Sequence, residues 1–116
     1  MKVKRIVANI KTNKIKDAKR FYEKVLGLDS LMDLGWISTY GSNTKSIVQI
    51  SIMKEGGSGA PVPDLSIEVD DVDEAYKKMK RAKFKIEYDI ADEPWGVRRF
   101  FVRDPFGKLV NILSHS

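Results

Sequence analysis

The stretch I-K-D-A-K-R-F-Y-E-K-V-L (Ile15 to Leu26) decides the fold, because it occurs twice in disguise. Ile15, Ala18, Tyr22, Val25 and Leu26 recur at helical spacing, with Lys16, Lys19, Arg20 and Glu23 on the opposite face. Asn13 is the expected cap and Gly27 the stop. Moved along by 57 positions, the stretch falls on a second amphipathic segment, in which Val72, Ala75, Tyr76, Met79 and Ala82 form the apolar stripe. Ile15 meets Val72, Ala18 meets Ala75, Tyr22 meets Met79 and Val25 meets Ala82. Core positions coincide while most residues differ, the trace expected of a duplicated supersecondary unit. Asp71 followed by Glu74 predicts a capping box at the second helix.

Strand-like segments surround both helices. One precedes each, Val3 to Ile10 and Asp64 to Val69. Three follow the first, at Asp29 to Leu34, Trp36 to Tyr40 and Ser46 to Met53. Three follow the second, at Lys85 to Ile90, Val97 to Arg103 and Leu109 to Leu113. Gly35, Gly41-Ser42-Asn43 and Pro105-Phe106-Gly107 supply turns. The prediction is an α+β domain of two tandem βαβββ modules, residues 1–54 and 64–116, joined by a linker over 55–63. That linker, rich in glycine, lacks the Gly-Lys-Ser/Thr ending and the helix of a phosphate loop, and is read as flexible.

Composition narrows the function. The 116 residues suffice for one domain with a real core. Without cysteine there are no disulfides, thiolate nucleophiles or cysteine metal sites, which suits the cytoplasm. No apolar run reaches the roughly 18 residues of a membrane span, and Met1-Lys2-Val3 leads into a strand rather than a signal peptide. The net charge of +5 raises nucleic acid as a partner. The lysines, however, lie on two helices among acidic residues, so solvated faces account for them.

Three segments together resemble the vicinal oxygen chelate superfamily, which includes glyoxalase I, bleomycin-resistance proteins and extradiol dioxygenases. They are D-A-K-R-F-Y-E-K-V-L-G-L (Asp17 to Leu28), L-S-I-E-V-D-D-V-D-E-A (Leu65 to Ala75) and E-P-W-G-V-R-R-F-F-V-R-D-P-F-G-K-L-V-N-I (Glu93 to Ile112). The resemblance implies a curved eight-stranded mixed sheet around a cavity. In metal-dependent members it also implies two histidines and two glutamates as ligands. Carried over, those positions fall on Val7, Asp64, Asn111 and either Gln49 or Ser51, with Gln49 preferred. Valine cannot ligate and amides are poor substitutes for carboxylates. His115, the only histidine, lies beyond the last expected strand, where an exposed tail is anticipated.

The resemblance therefore points to the metal-free, bleomycin-resistance-like branch: a homodimer binding a small molecule, with no cofactor and neither nucleic acid nor membrane as partner. The alternative is a divergent metal-dependent glyoxalase- or dioxygenase-like enzyme using Asp64. Trp36, Tyr40, Trp95 and Phe101 are candidates for stacking on the ligand, with Gln49, Asp64, Arg99, Arg103 and Asn111 orienting it. Strand alternation puts Arg99, Phe101 and Arg103 on one face, and Val102 is expected to pack on a helix. An arginine next to an aspartate also suits a turn ion pair between Arg103 and Asp104. The arginines favour a neutral or anionic aromatic ligand over cationic bleomycin.

Overall fold

A computed structural model describes residues 1–42 and 48–115. The expected turn residue Asn43 and the expected strand start at Ser46 lie outside the described residues. In chain order the elements are β1 (Val3–Lys11), a 3₁₀ turn (Ile15–Asp17) running into a π-helical segment (Lys19–Val25), β2 (Asp29–Asp33), β3 (Ile37–Ser42) and β4 (Val48–Met53). Then follow β5 (Leu65–Val69), α1 (Val72–Arg81), β6 (Ile86–Glu93), β7 (Val97–Arg103) and β8 (Leu109–His115). The βαβββ unit is present twice, and the chain is α+β, with eight strands among the described residues.

Each module carries the same mixed pairing. In the first, the order is β2-β3-β4-β1, with β1 parallel to β4 and the other pairs antiparallel. In the second it is β5-β8-β7-β6, with β5 parallel to β8. The registers repeat as well: Asn9 lies opposite Ser51, and Ser66 opposite Asn111. Asn9 and Ser66 are 66 − 9 = 57 positions apart, the spacing of the two helices.

Contacts divide the chain into two compact units, Val7–Val62 and a second made of Met1–Ile6 with the residues from Pro63 onward. The first six residues are tied to the second module by named bonds. The Lys2 amide donates to Asp70 Oδ1 at 2.8 Å, the amino terminus meets Glu74 at 3.3 Å, and Arg5 meets Glu68 at 3.0 Å.

In the second module Val69, Val72, Ala75, Phe100, Val102, Val110 and Ile112 form one buried cluster between α1 and the sheet, flanked by Ile67, Tyr76, Met79, Ile86 and Ile90. Phe100 is fully buried, edge-on to Tyr76 at 5.2 Å. Alternation explains the pattern. Every second residue of β5, β7 and β8 turns toward the helix, and those under its middle are apolar, while Arg98 and Ser114 on the same side bond Asp73 and the Val72 amide. The first module has a smaller cluster of Ala18, Tyr40 and Ile52, flanked by Ile15, Tyr22, Leu28 and Ile50.

Two local expectations need correcting. Asn13 does not cap the first helical segment, whose leading residue is Lys14 and which has no side-chain cap; the Lys14 amide instead donates to Thr12 Oγ1 at 3.0 Å. The loop after β4 is also no loose linker. The Gly56 amide donates to the Ala60 carbonyl at 2.7 Å, the Ala60 amide to Gly57 at 2.9 Å, and the Gly59 amide to Glu55 Oε1 at 3.0 Å. A Cβ on Gly56 would stand 2.1 Å from the Pro61 carbonyl oxygen, so this glycine is there for close backbone approach rather than for freedom.

Candidate functional site

The face of the second module turned away from α1 carries a buried polar constellation. Phe100 and Val102 are committed to the helix, so alternation along β7 sends Arg99, Phe101 and Arg103 the other way. Arg99 Nη2 pairs with Glu93 Oε2 at 3.2 Å, and both side chains are almost wholly shielded, 3% and 4% exposed. Three rings surround the guanidinium carbon, Tyr88 and Trp95 at 4.9 Å and Phe101 at 4.8 Å from their centroids. The Tyr88 hydroxyl donates to Glu93 Oε1 at 2.9 Å.

Local structure explains the convergence. Tyr88 lies opposite Phe101 on the neighbouring strand. Glu93 ends β6, and the Gly96 amide closes the hairpin onto the Glu93 carbonyl at 3.2 Å, with Gly96 at φ 91°. That turn carries Trp95 back over Arg99. A buried ion pair withstands its desolvation only when further bonds and contacts support it. Here a phenol and three ring faces provide them, each cation–π contact contributing about 0.5–2 kcal/mol.

Asn111 sits on the same face, on β8 between β5 and β7, with Ser66 and Phe101 as its cross-strand neighbours. Its Nδ2 donates to Ser66 Oγ at 3.1 Å, while its buried Oδ1 has no hydrogen-bond partner among the described residues. Farther along this face Glu68 Oε2 lies 2.6 Å from His115 Nδ1, and Glu68 Oε1 lies 3.0 Å from Arg5 Nε. Burial pushes the Glu68 carboxyl up, but the His115 bond and the Arg5 charge outweigh it and hold the group below its ordinary value.

The remaining predicted site residues are scattered. Asp64 is exposed; its Oδ2 accepts from the Leu109 amide at 2.9 Å and its own amide donates to the Leu109 carbonyl at 2.8 Å, which makes it a strand tie. Arg103 bonds Glu87 and the Gly107 carbonyl, clamping a hairpin. The turn pair expected with Asp104 does not form, because Asp104 Oδ1 instead accepts from the amides of Phe106 and Lys108, each at 2.8 Å.

Tyr40 belongs to the core of the first module, 4% exposed and stacked on Tyr22 at 5.9 Å, on the helix side and out of reach of a ligand on the opposite face. Burial raises its hydroxyl pKa. Trp36 is half-buried in the turn before β3, where its carbonyl accepts from the Lys54 amide at 2.8 Å. Gln49 lies opposite Gly41. The registers resolve the choice left open between Gln49 and Ser51. Ser51 faces Asn9 as Asn111 faces Ser66, so Ser51 is the repeat counterpart of Asn111. Ser51 Oγ shares a 2.8 Å hydrogen bond with Thr39 Oγ1.

The sequence reading missed Tyr88, Glu93 and Ser66, and treated His115 as a loose tail, whereas it is the last residue of β8. The available signal was a carboxylate at the base of a Pro-Trp-Gly hairpin with an arginine just past the turn.

A cation fits these residues poorly. Val7 has no donor, an Asp64 oxygen is spent on a backbone amide, Ser51 is bonded to Thr39, and the Asn111 amide is bonded to Ser66. Among the described residues no group of three histidine, aspartate or glutamate side chains could hold a metal ion. None of the described helices is long and apolar enough to cross a membrane.

Two βαβββ modules in tandem, each with β-α-β-β-β order and one parallel strand pair, define the class of fold. The chain belongs to the Glyoxalase/Bleomycin resistance protein/Dioxygenase superfamily, whose family model matches residues 3–112. Solved structures agree on the fold. A Legionella pneumophila structure described as an NAD-dependent benzaldehyde dehydrogenase is 14% identical with a TM-score of 0.75, over 97% of this chain and 100% of that one. A superfamily member from Vibrio splendidus 12B01 is 16% identical with a TM-score of 0.68, over 97% and 99%. Methylmalonyl-CoA epimerase from Mycobacterium tuberculosis is 13% identical with a TM-score of 0.65, over 98% and 87%. Comparison with curated proteins gives no match.

Proposed function

We propose that this protein is a cytoplasmic homodimer that binds a small planar aromatic molecule without a metal, and that the ligand is neutral rather than anionic. The observation that carries the reading is the shielded Arg99 among Tyr88, Trp95 and Phe101. Arg99 and Phe101 are buried, and the partly exposed rings of Tyr88 and Trp95 packed on them offer flat, polarisable surface to a flat ligand. Each arginine of β7 already faces a carboxylate: Arg98 meets Asp73 and Asp92, Arg99 meets Glu93, and Arg103 meets Glu87. An anion would have to break such a pair to be neutralised, so a neutral ligand suits the face better. Support for self-association comes from the first module, where Phe21, Val25 and Leu26 are 58%, 72% and 57% exposed.

The test is a fluorescence titration of purified protein with neutral and carboxylated aromatic compounds, alongside elemental analysis and sedimentation. Neutral compounds should quench Trp95 emission in wild type and not in Trp95→Phe, with no stoichiometric metal and a dimer in solution. One tightly held divalent ion per chain, with turnover lost on its removal, would establish the metal-dependent enzyme instead.

A further inference from the structure

Asn111 presents a problem that its repeat counterpart does not. Ser51 and Asn111 occupy equivalent places on the parallel-paired last strands of the two modules. In the first module the cross-strand neighbour is Thr39, whose hydroxyl satisfies Ser51 at 2.8 Å. In the second the cross-strand neighbour is Phe101, which has nothing to donate. Asn111 is 8% exposed, its Nδ2 is taken by Ser66, and its Oδ1 is left without a partner. Such an acceptor is destabilising when shielded from water. A leucine would avoid that cost on a strand that already has Leu109 and Leu113 on the same side.

We infer that Asn111 Oδ1 is the specificity contact of this site, reserved for an N–H or O–H donor on a neutral planar ligand. The inference rests on the binding role proposed above and narrows its ligand class to phenol-, indole- or lactam-like molecules. A ring nitrogen or ether oxygen that can only accept would leave the amide oxygen facing a lone pair, and a methylated donor would leave it unsatisfied.

Three probes on one bicyclic frame test the assignment: indole, its isostere benzofuran, and 1-methylindole, titrated into the wild-type protein and Asn111→Leu with ligand-observed NMR and thermal shift. In wild type, indole should bind about tenfold tighter than either analogue, the worth of one matched hydrogen bond. In Asn111→Leu the three should bind alike, and the melting temperature should not fall. Equal wild-type affinity for all three probes, or preference for benzofuran, would overturn the donor contact while leaving the binding role standing. No binding of any probe would overturn both. The wild-type comparison decides the matter even if the leucine variant fails to fold.

Discussion

The two modules share a strand register but not a helix. In the second, α1 is a regular helix capped by Asp71, whose carboxylate accepts from the Glu74 amide at 3.0 Å, and it buries Val72 and Ala75. In the first, the corresponding stretch is a 3₁₀ turn followed by a π-helical segment with no side-chain cap and no buried residue of its own. Ala18, between the two pieces, supplies the buried contact. Strand pairing tolerates divergence because backbone groups carry it, whereas helix regularity depends on caps and on a wide apolar stripe. The module with the better helix also carries the shielded ion pair, and firm support behind a sheet is what a preorganised site requires.

The largest test of this contrast lies in the core. Phe100→Ala should cost about 3–5 kcal/mol by chemical denaturation, and Ile52→Ala in the smaller first cluster should fall toward the lower part of about 2–5 kcal/mol. Equal losses would mean that the modules are equally well packed. Next comes the ion pair. Glu93→Ala should destabilise by about 3–5 kcal/mol because Arg99 is left buried beside the gap, and replacing both residues with leucine and methionine should recover most of that loss. Asp71→Ala should cost about 1 kcal/mol, whereas Asn13→Ala should cost nothing measurable, since Asn13 caps nothing.

Acid sharpens the comparison further. The Glu68 carboxyl is held below its ordinary value of 4.5 in the folded protein. Its contribution is therefore complete above that pH and lost as pH falls through the lower folded value. Glu68→Gln should lower the melting temperature near neutrality, where that contribution is complete, and converge on wild type in acid, so that the acid limb of melting temperature against pH flattens. The smallest effect concerns helix ends. The first helical segment stops at Gly27 with φ 75°, while α1 is followed by Lys83 at φ 66°. Lys83→Gly should relieve the left-handed strain and raise stability by up to about 1 kcal/mol.

Much of this architecture was legible in the residues. Periodicity located both helices, and the 57-residue offset identified the duplication and assigned Val7 and Asp64 to one repeat position. Apolar alternation in β7 also marked Val102 as a helix-packing residue. The site was less legible, for identifiable reasons. Tyr40 resembles a ligand aromatic until the register turns it toward Tyr22. Arg103 sits next to Asp104 in sequence, yet Glu87 across the hairpin binds it. Tyr88 lies in none of the three family-like segments, and Glu93 and Ser66, which do, show their role only through partners on other strands.

What the sequence determined by itself is the repeated βαβββ order, through hydrophobic periods of 3.6 and 2 that any chain must satisfy to bury its apolar residues. Tertiary structure alone decided which polar groups meet. A one-residue change of register reverses every side chain on a strand, so no local pattern could reveal that Ser51 finds Thr39 while Asn111 finds Phe101. That difference in cross-strand neighbours leaves one acceptor without a partner, and it arises from pairings between segments far apart in the chain.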